Sequence, residues 1–155
     1  CITDTFRTYA IVLKPDEGWI IMNRLEKSLF KLYTGFEPYP YLTEIQSGLF
    51  RFIKDSLIGF GNLNGNIVIQ PRFKNISAFE GGYAIFCEGC KYGNYLNDVE
   101  GYEFFNGKWG AIDKKGKVII PAIYDEQFKF KDGVAEVILI TTKMKINTKG
   151  EKIKD

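Results

Sequence analysis

The chain has no histidine among its 155 residues. This removes Ser-His and Cys-His nucleophilic pairs, histidine general bases and histidine metal ligands together. Only carboxylate or thiolate chemistry is left open. Cysteine is scarce, with 3 residues, so a structural zinc site of four ligands would need carboxylates or a second chain. No run of about 18 apolar residues occurs, so no segment is long enough for a membrane-spanning helix, and no signal peptide lies within the chain. Charge of one sign is also lacking. The 21 basic and 19 acidic residues leave a net +2. The mildly basic end (Lys143, Lys145, Lys149, Lys152, Lys154) reads as a solvated edge and tail, short of the basic face that nucleic-acid binding needs. No Walker loop, dinucleotide fingerprint or Gly-x-Ser-x-Gly is present.

What the chain does have is aromatics at 15% and 16 glycines, a pairing that favours many short strands and tight turns. It also repeats itself. Ile58-Gly59-Phe60-Gly61-Asn62 and Gly65-Asn66-Ile67-Val68-Ile69 return as Trp109-Gly110-Ala111-Ile112-Asp113 and Gly116-Lys117-Val118-Ile119-Ile120, at an offset of 51 (109 less 58). The offset continues through Phe73 and Tyr124, Phe79 and Phe130, Gly82 and Gly133. A fixed period of this kind is the sign of a repeat architecture. The turn Asp113-x-x-Gly116 recurs as Asn147-x-x-Gly150 after 34 residues (147 less 113), so the basic period is 34 and the longer step holds an insertion of 17 (51 less 34).

The copy beginning at Lys108 is the clearest. Trp109 to Asp113 alternates as a strand, an Asp opens the turn, and Gly116 takes the left-handed position of a hairpin loop. Lys117 to Ile120 returns, and Pro121 is expected to end that strand. Val134 to Ile140 reads as a third strand buried on both faces. The chain is accordingly expected to form one domain over residues 1–155. Its repeats cover about 17–56, 57–107 with the insertion at 87–107, 108–142 and a partial copy at 143–155 that pairs as a closing strand. In the first copy an extra stretch spaces Met22, Leu25, Leu29 and Leu32 like a helical face, with an irregular hairpin preferred to a short helix.

Lys108-Trp109-Gly110-Ala111-Ile112-Asp113, Gly116 to Pro121, Tyr124-Asp125 and Phe130-x-x-Gly133-x-Ala135 together resemble the WG-repeat family of bacterial proteins. The second copy departs with Ile58-Gly59 and the first with Trp19-Ile20. The resemblance implies an all-β array of hairpins; stacking of antiparallel hairpins as an elongated twisted sheet or solenoid is expected, with a partial β-propeller as the alternative. It implies an interaction module and carries no catalytic residue and no cofactor with it. Each hairpin alone cannot bury its apolar face, so neighbours must supply the core.

The insertion is the best candidate for function, because binding concentrates on loops carried by a rigid scaffold. Tyr92, Tyr95, Tyr102, Asn94 and Asp98 are the candidate contact residues; the alternative is a longer hairpin packing its own tyrosines. Cys87-x-x-Cys90 is open to three readings. It is a disulfide pinning the insertion if the compartment is oxidising, a pair of free thiols if it is reducing, or a metal or redox site. The carboxylates Asp16-Glu17, Asp98, Glu100, Glu103 and Asp125-Glu126 are scattered with no catalytic spacing. Trp19 and Trp109 read as core, with sugar stacking as the sharper alternative. Cys1 suits the lipidated end of a bacterial lipoprotein at the cell envelope, against a chance boundary in a cytoplasmic protein; the residues upstream of it decide. The expected function is a non-enzymatic scaffold that binds another protein. The alternatives are an envelope-associated carbohydrate binder and a metal or thiol site at Cys87 and Cys90.

Overall fold

The computed structural model describes residues 9–33, 45, 48–94 and 102–153. Thirteen strands and no helix occur among them. In chain order they are β1 (Tyr9–Lys14), β2 (Gly18–Asn23), β3 (Ser28–Lys31), β4 (Leu49–Lys54), β5 (Leu57–Asn62), β6 (Ile67–Phe73), β7 (Tyr83–Glu88), β8 (Lys91–Asn94), β9 (Tyr102–Phe105), β10 (Lys108–Asp113), β11 (Val118–Tyr124), β12 (Val134–Leu139) and β13 (Thr142–Asn147). They form antiparallel sheets β1-β2-β3, β4-β5-β6, β7-β10-β11, β12-β13 and β8-β9, none closed into a barrel. The chain divides into two compact units, residues 1–74 with 78–80, and residues 75–77 with 81–155.

A sheet is not the same segment as a sequence repeat. The last strand of one copy becomes the first strand of the next sheet: β7 follows β6 in sequence but pairs with β10. The central strands β2, β5 and β10, together with β13, each end in the same turn. Asn23 Oδ1 accepts the N–H groups of Leu25 and Lys27, both at 3.0 Å. Asn62 holds Asn64 and Asn66, Asp113 holds Lys115 and Lys117, and Asn147 holds Lys149 and Glu151 in the same two positions. The residue three places on is left-handed in all four: Gly65, Gly116, Gly150 and, in the first copy, Glu26 at φ 56°. One short oxygen-bearing side chain thus satisfies two amides and sets the reversal. This turn also disposes of the helical alternative. Met22 lies in β2, Leu25 is 87% exposed and Leu32 is in the core, so the four residues share no face.

Pro121 does not end its strand. β11 runs through it as a bulge: Trp109 pairs with Tyr124 and Ala111 with Ile120, leaving Pro121 in the surplus that faces Gly110. Such bulges admit a residue that cannot donate to the ladder. A Cβ on Gly110 would lie 2.6 Å from the Ile120 carbonyl oxygen and 2.8 Å from the Ala122 nitrogen. Gly59 stands under the matching bulge, 2.7 Å from the Ile69 oxygen and 2.8 Å from the Pro71 nitrogen. The glycine of the Trp-Gly pair therefore makes room for the bulged backbone of the returning strand.

In the first unit, Ile21, Leu32, Phe50 and Phe52 form a core with Trp19, Leu29 and Phe30 packed against it. The Phe30 ring meets Phe50 at 5.4 Å and Phe52 at 4.7 Å, arrangements favoured by the ring quadrupoles. In the second unit, Ile85, Cys87, Trp109, Ala111, Ile120, Tyr124, Phe128, Ala135, Val137 and Ile146 pack together. Burial pushes the Tyr124 phenol up from its ordinary range. Asp125 pins three elements here. Its amide donates to the Ile138 oxygen at 2.8 Å, its Oδ2 accepts Ile140 N–H at 2.7 Å, and its Oδ1 pairs with Lys108 Nζ.

β12 is not buried on both faces. Ala135 and Val137 are buried while Glu136 is exposed and paired with Lys143 at 2.7 Å, and Ile140 is a turn residue 78% exposed. A strand with one partner in a two-stranded sheet has a wet face, and the apolar run hid that. β1, which carries no repeat motif, pairs along its full length with β2. The closing segment does pair: Lys152 bridges Ile146, and Ile153 N–H donates to the Lys145 oxygen.

Candidate functional site

The first hairpin of each sheet shows where regularity breaks. β4 and β5 pair over six residues and are joined by Asp55-Ser56, both left-handed. β12 and β13 pair over six residues and are joined by Ile140-Thr141, also both left-handed. These are the tight two-residue turns that suit twisted strands. β7 and β10 keep the same six pairs, closing on Glu88 and Lys108, yet Gly89 to Gly107 stands between them. That is 19 residues in place of 2, and the surplus is the 17 of the sequence period. The insertion is one turn grown into a hairpin of its own.

β8 and β9 pair in the register Lys91 with Phe105, Tyr92 with Phe104, Gly93 with Glu103 and Asn94 with Tyr102. Tyr92 and Phe104 share a face, their ring centroids 5.0 Å apart. Phe104 also packs, half-buried, against the core of the second unit. The hairpin is therefore rooted in the scaffold through Phe104 and presents Tyr92, 37% exposed, beside it. Candidates Asn94 and Tyr102 form its outermost described pair. Tyr95 and Asp98 lie outside the described residues, as does Cys1.

The sulfurs of Cys87 and Cys90 are joined, with their Cα atoms 5.9 Å apart. Cys87 sits on β7 opposite Trp109 with its side chain in the core, and Cys90 is half-buried against the same cluster. At the other end of the insertion, a Cβ on Gly107 would lie 2.6 Å from both Cys87 Sγ and Cys90 N, and nearer still to Cys90 Sγ. Both ends of the hairpin thus meet at the disulfide. On a chain-entropy account a four-residue loop of this size is worth only about 2 kcal/mol to global stability, so its effect is chiefly local.

Among the described residues no group of three or more His, Cys, Asp or Glu side chains could hold a metal ion. Asp113 is occupied as the turn residue. Asp125 is committed to Lys108 and the Ile140 amide, which together hold its carboxyl below its ordinary range. Glu17 is paired with Lys14 at 2.9 Å. Trp109 is 4% exposed, leaving no ring face for a sugar, and Trp19 packs on the core of the first unit. Phe104 and Gly107 were not among the candidates from sequence. The two-residue spacing of the β4–β5 and β12–β13 turns, once aligned, points to both ends of the insertion.

Meander sheets built from a short turn-closed hairpin, an Asx turn and a proline bulge over glycine define a β-hairpin repeat protein. The repeat is a known one: residues 58–92 and 109–139 match the family model of the WG containing repeat. No curated protein and no solved structure matches the chain.

Proposed function

We propose that the protein is a non-enzymatic binding module that holds another protein through the β8–β9 hairpin. One observation carries this reading. Among the described residues of the second unit, β7 and β10 to β13 follow the repeat, whereas this hairpin departs from it and presents Tyr92, 37% exposed, from a rooted base. Tyrosine suits contact surfaces because it offers a large, stiff, amphipathic area at low entropic cost. The buried Trp109 argues against sugar stacking, and the joined sulfurs argue against a thiol-ligated metal.

The test replaces Gly89–Gly107 with Asn-Gly, restoring the two-residue turn of the β4–β5 and β12–β13 hairpins, and sets this variant and Tyr92→Ala beside the unaltered protein. A partner protein is captured by the unaltered chain and quantified by mass spectrometry. Loss of that partner from both variants, with a cooperative melting transition retained in each, is the expected result. Retention by the shortened variant would place binding elsewhere. Binding of glycans that survives the loss of all protein partners would favour the carbohydrate reading.

A further inference from the structure

We propose that the Cys87–Cys90 bond is a redox latch that fixes the β8–β9 hairpin on its sheet and frees it when reduced. The bond stands where the scaffold ends and the insertion begins, one sulfur on β7 and one just before β8. Gly107, where the chain re-enters the scaffold, lies against both sulfurs with no room for a side chain. The bond therefore ties the entering leg of the hairpin to the scaffold, and the returning leg packs against its sulfurs. Because it closes only four residues, it constrains little of the chain beyond that base.

The two sulfurs are unequally placed. Cys87 is 6% exposed, within the core, while Cys90 is half-buried at the hairpin base. A thiolate of a dithiol reductant attacks Cys90 Sγ. The Cys87–Cys90 bond breaks, and its electron pair leaves on Cys87 Sγ, which takes up a proton. The reductant's second thiolate then attacks the mixed disulfide, releasing Cys90 as a thiol and the reductant as its cyclic disulfide, with two electrons passed to the chain. Cys87 stays seated beside Trp109, while Cys90 loses its bond to the scaffold and Gly107 loses the joined sulfurs it packs against. The consequence for a partner rests on the binding reading above; the latch itself does not.

Amide hydrogen exchange on the full chain, oxidised and then reduced with dithiothreitol, tests it. Exchange at Lys91–Asn94 and Tyr102–Phe105 is expected to quicken about tenfold on reduction, as a local opening does, with the β4–β5 hairpin unchanged as the internal control. Cys90→Ser, which leaves Cys87 in the core, should show the fast rates without reductant. Equal rates in the two redox states would overturn the latch. So would acceleration spread through β4, β5, β10 and β11, because the bond would then be a global staple. If the hairpin loosens on reduction while partner capture ignores the shortened variant, the latch stands and the binding reading falls.

Discussion

The hairpins β4–β5 and β7–β10 have the same construction and opposite closures. Each pairs six residues with six, and each central strand carries a glycine under a proline bulge and ends in an Asx turn. One closes through Asp55-Ser56, the other through 19 residues. The pairing register is indifferent to that change. Loop closure grows only logarithmically with length, so going from 2 to 19 residues costs roughly 2 kcal/mol. The returns from seating Phe104 on the core and joining Cys87 to Cys90 are of similar order. The scaffold is thus specified by the strands and the Asx turns, and the closing turn is free to vary. A repeat protein can acquire a new surface there without redesigning its core.

The feature the two sheets share most strictly should be the hardest to alter. Gly110→Ala and Gly59→Ala each put a methyl group within 2.6–2.7 Å of a bulged backbone oxygen. The obstacle is main chain, which cannot swing away as a flexible side chain would. We expect each to cost about 3 kcal/mol, the upper end of overpacking, or about 10 °C in melting temperature for a chain of this size. Calorimetry on both variants checks it. A large effect in one sheet and none in the other would break the equivalence between them.

Next come the Asx turns. Asp113→Ala and Asn62→Ala each leave two amides without their acceptor. Both should destabilise by about 1 kcal/mol, as loss of a comparable capping side chain does. Urea midpoints are the readout, and the two losses should agree within error.

Much of this grammar was legible in the sequence. Asp113 and Gly116 announced their turn because the chemistry is local: an acceptor oxygen, and a left-handed residue three places on. The insertion was found because its length disturbed a period. What escaped was non-local. Pro121 looked like a strand end, since only its partner strand reveals the bulge opposite Gly110. Val134 to Ile140 looked buried on both faces, since hydrophobicity does not say whether a strand has one neighbour or two. Phe104 does not stand out from the tyrosines in sequence, because its anchoring depends on which way the hairpin leans.

The worn first copy offers the reverse experiment. Glu26 occupies the left-handed site that glycine holds in the other three turns, at φ 56°. A side chain there is strained, so Glu26→Gly should stabilise by roughly 0.5–1 kcal/mol. An unchanged or lowered urea midpoint would show that the strain is relieved some other way, and that the first copy is less worn than its sequence suggests.

The smallest expected effect separates the two sheets by charge. Asp125 staples β11 to β10 and to the β12–β13 turn, while the position 51 residues earlier holds Lys74, which cannot accept those bonds. The hydrogen bond from Lys108 first, and that from the Ile140 amide second, keep the Asp125 carboxyl below its ordinary range in the folded chain. A carboxylate depressed on folding stabilises above its unfolded pKa, about 3.9, and the benefit is lost as pH falls through the folded value. Asp125→Asn should therefore melt slightly earlier than the unaltered protein at pH 7, and the difference should close as pH drops below about 4. Because the pair is solvent-exposed, added salt should shrink the gap as well. A gap that is constant from pH 7 to pH 3 would mean that Asp125 acts through its shape and neutral hydrogen bonds. The third copy would then differ from the second in geometry and not in charge.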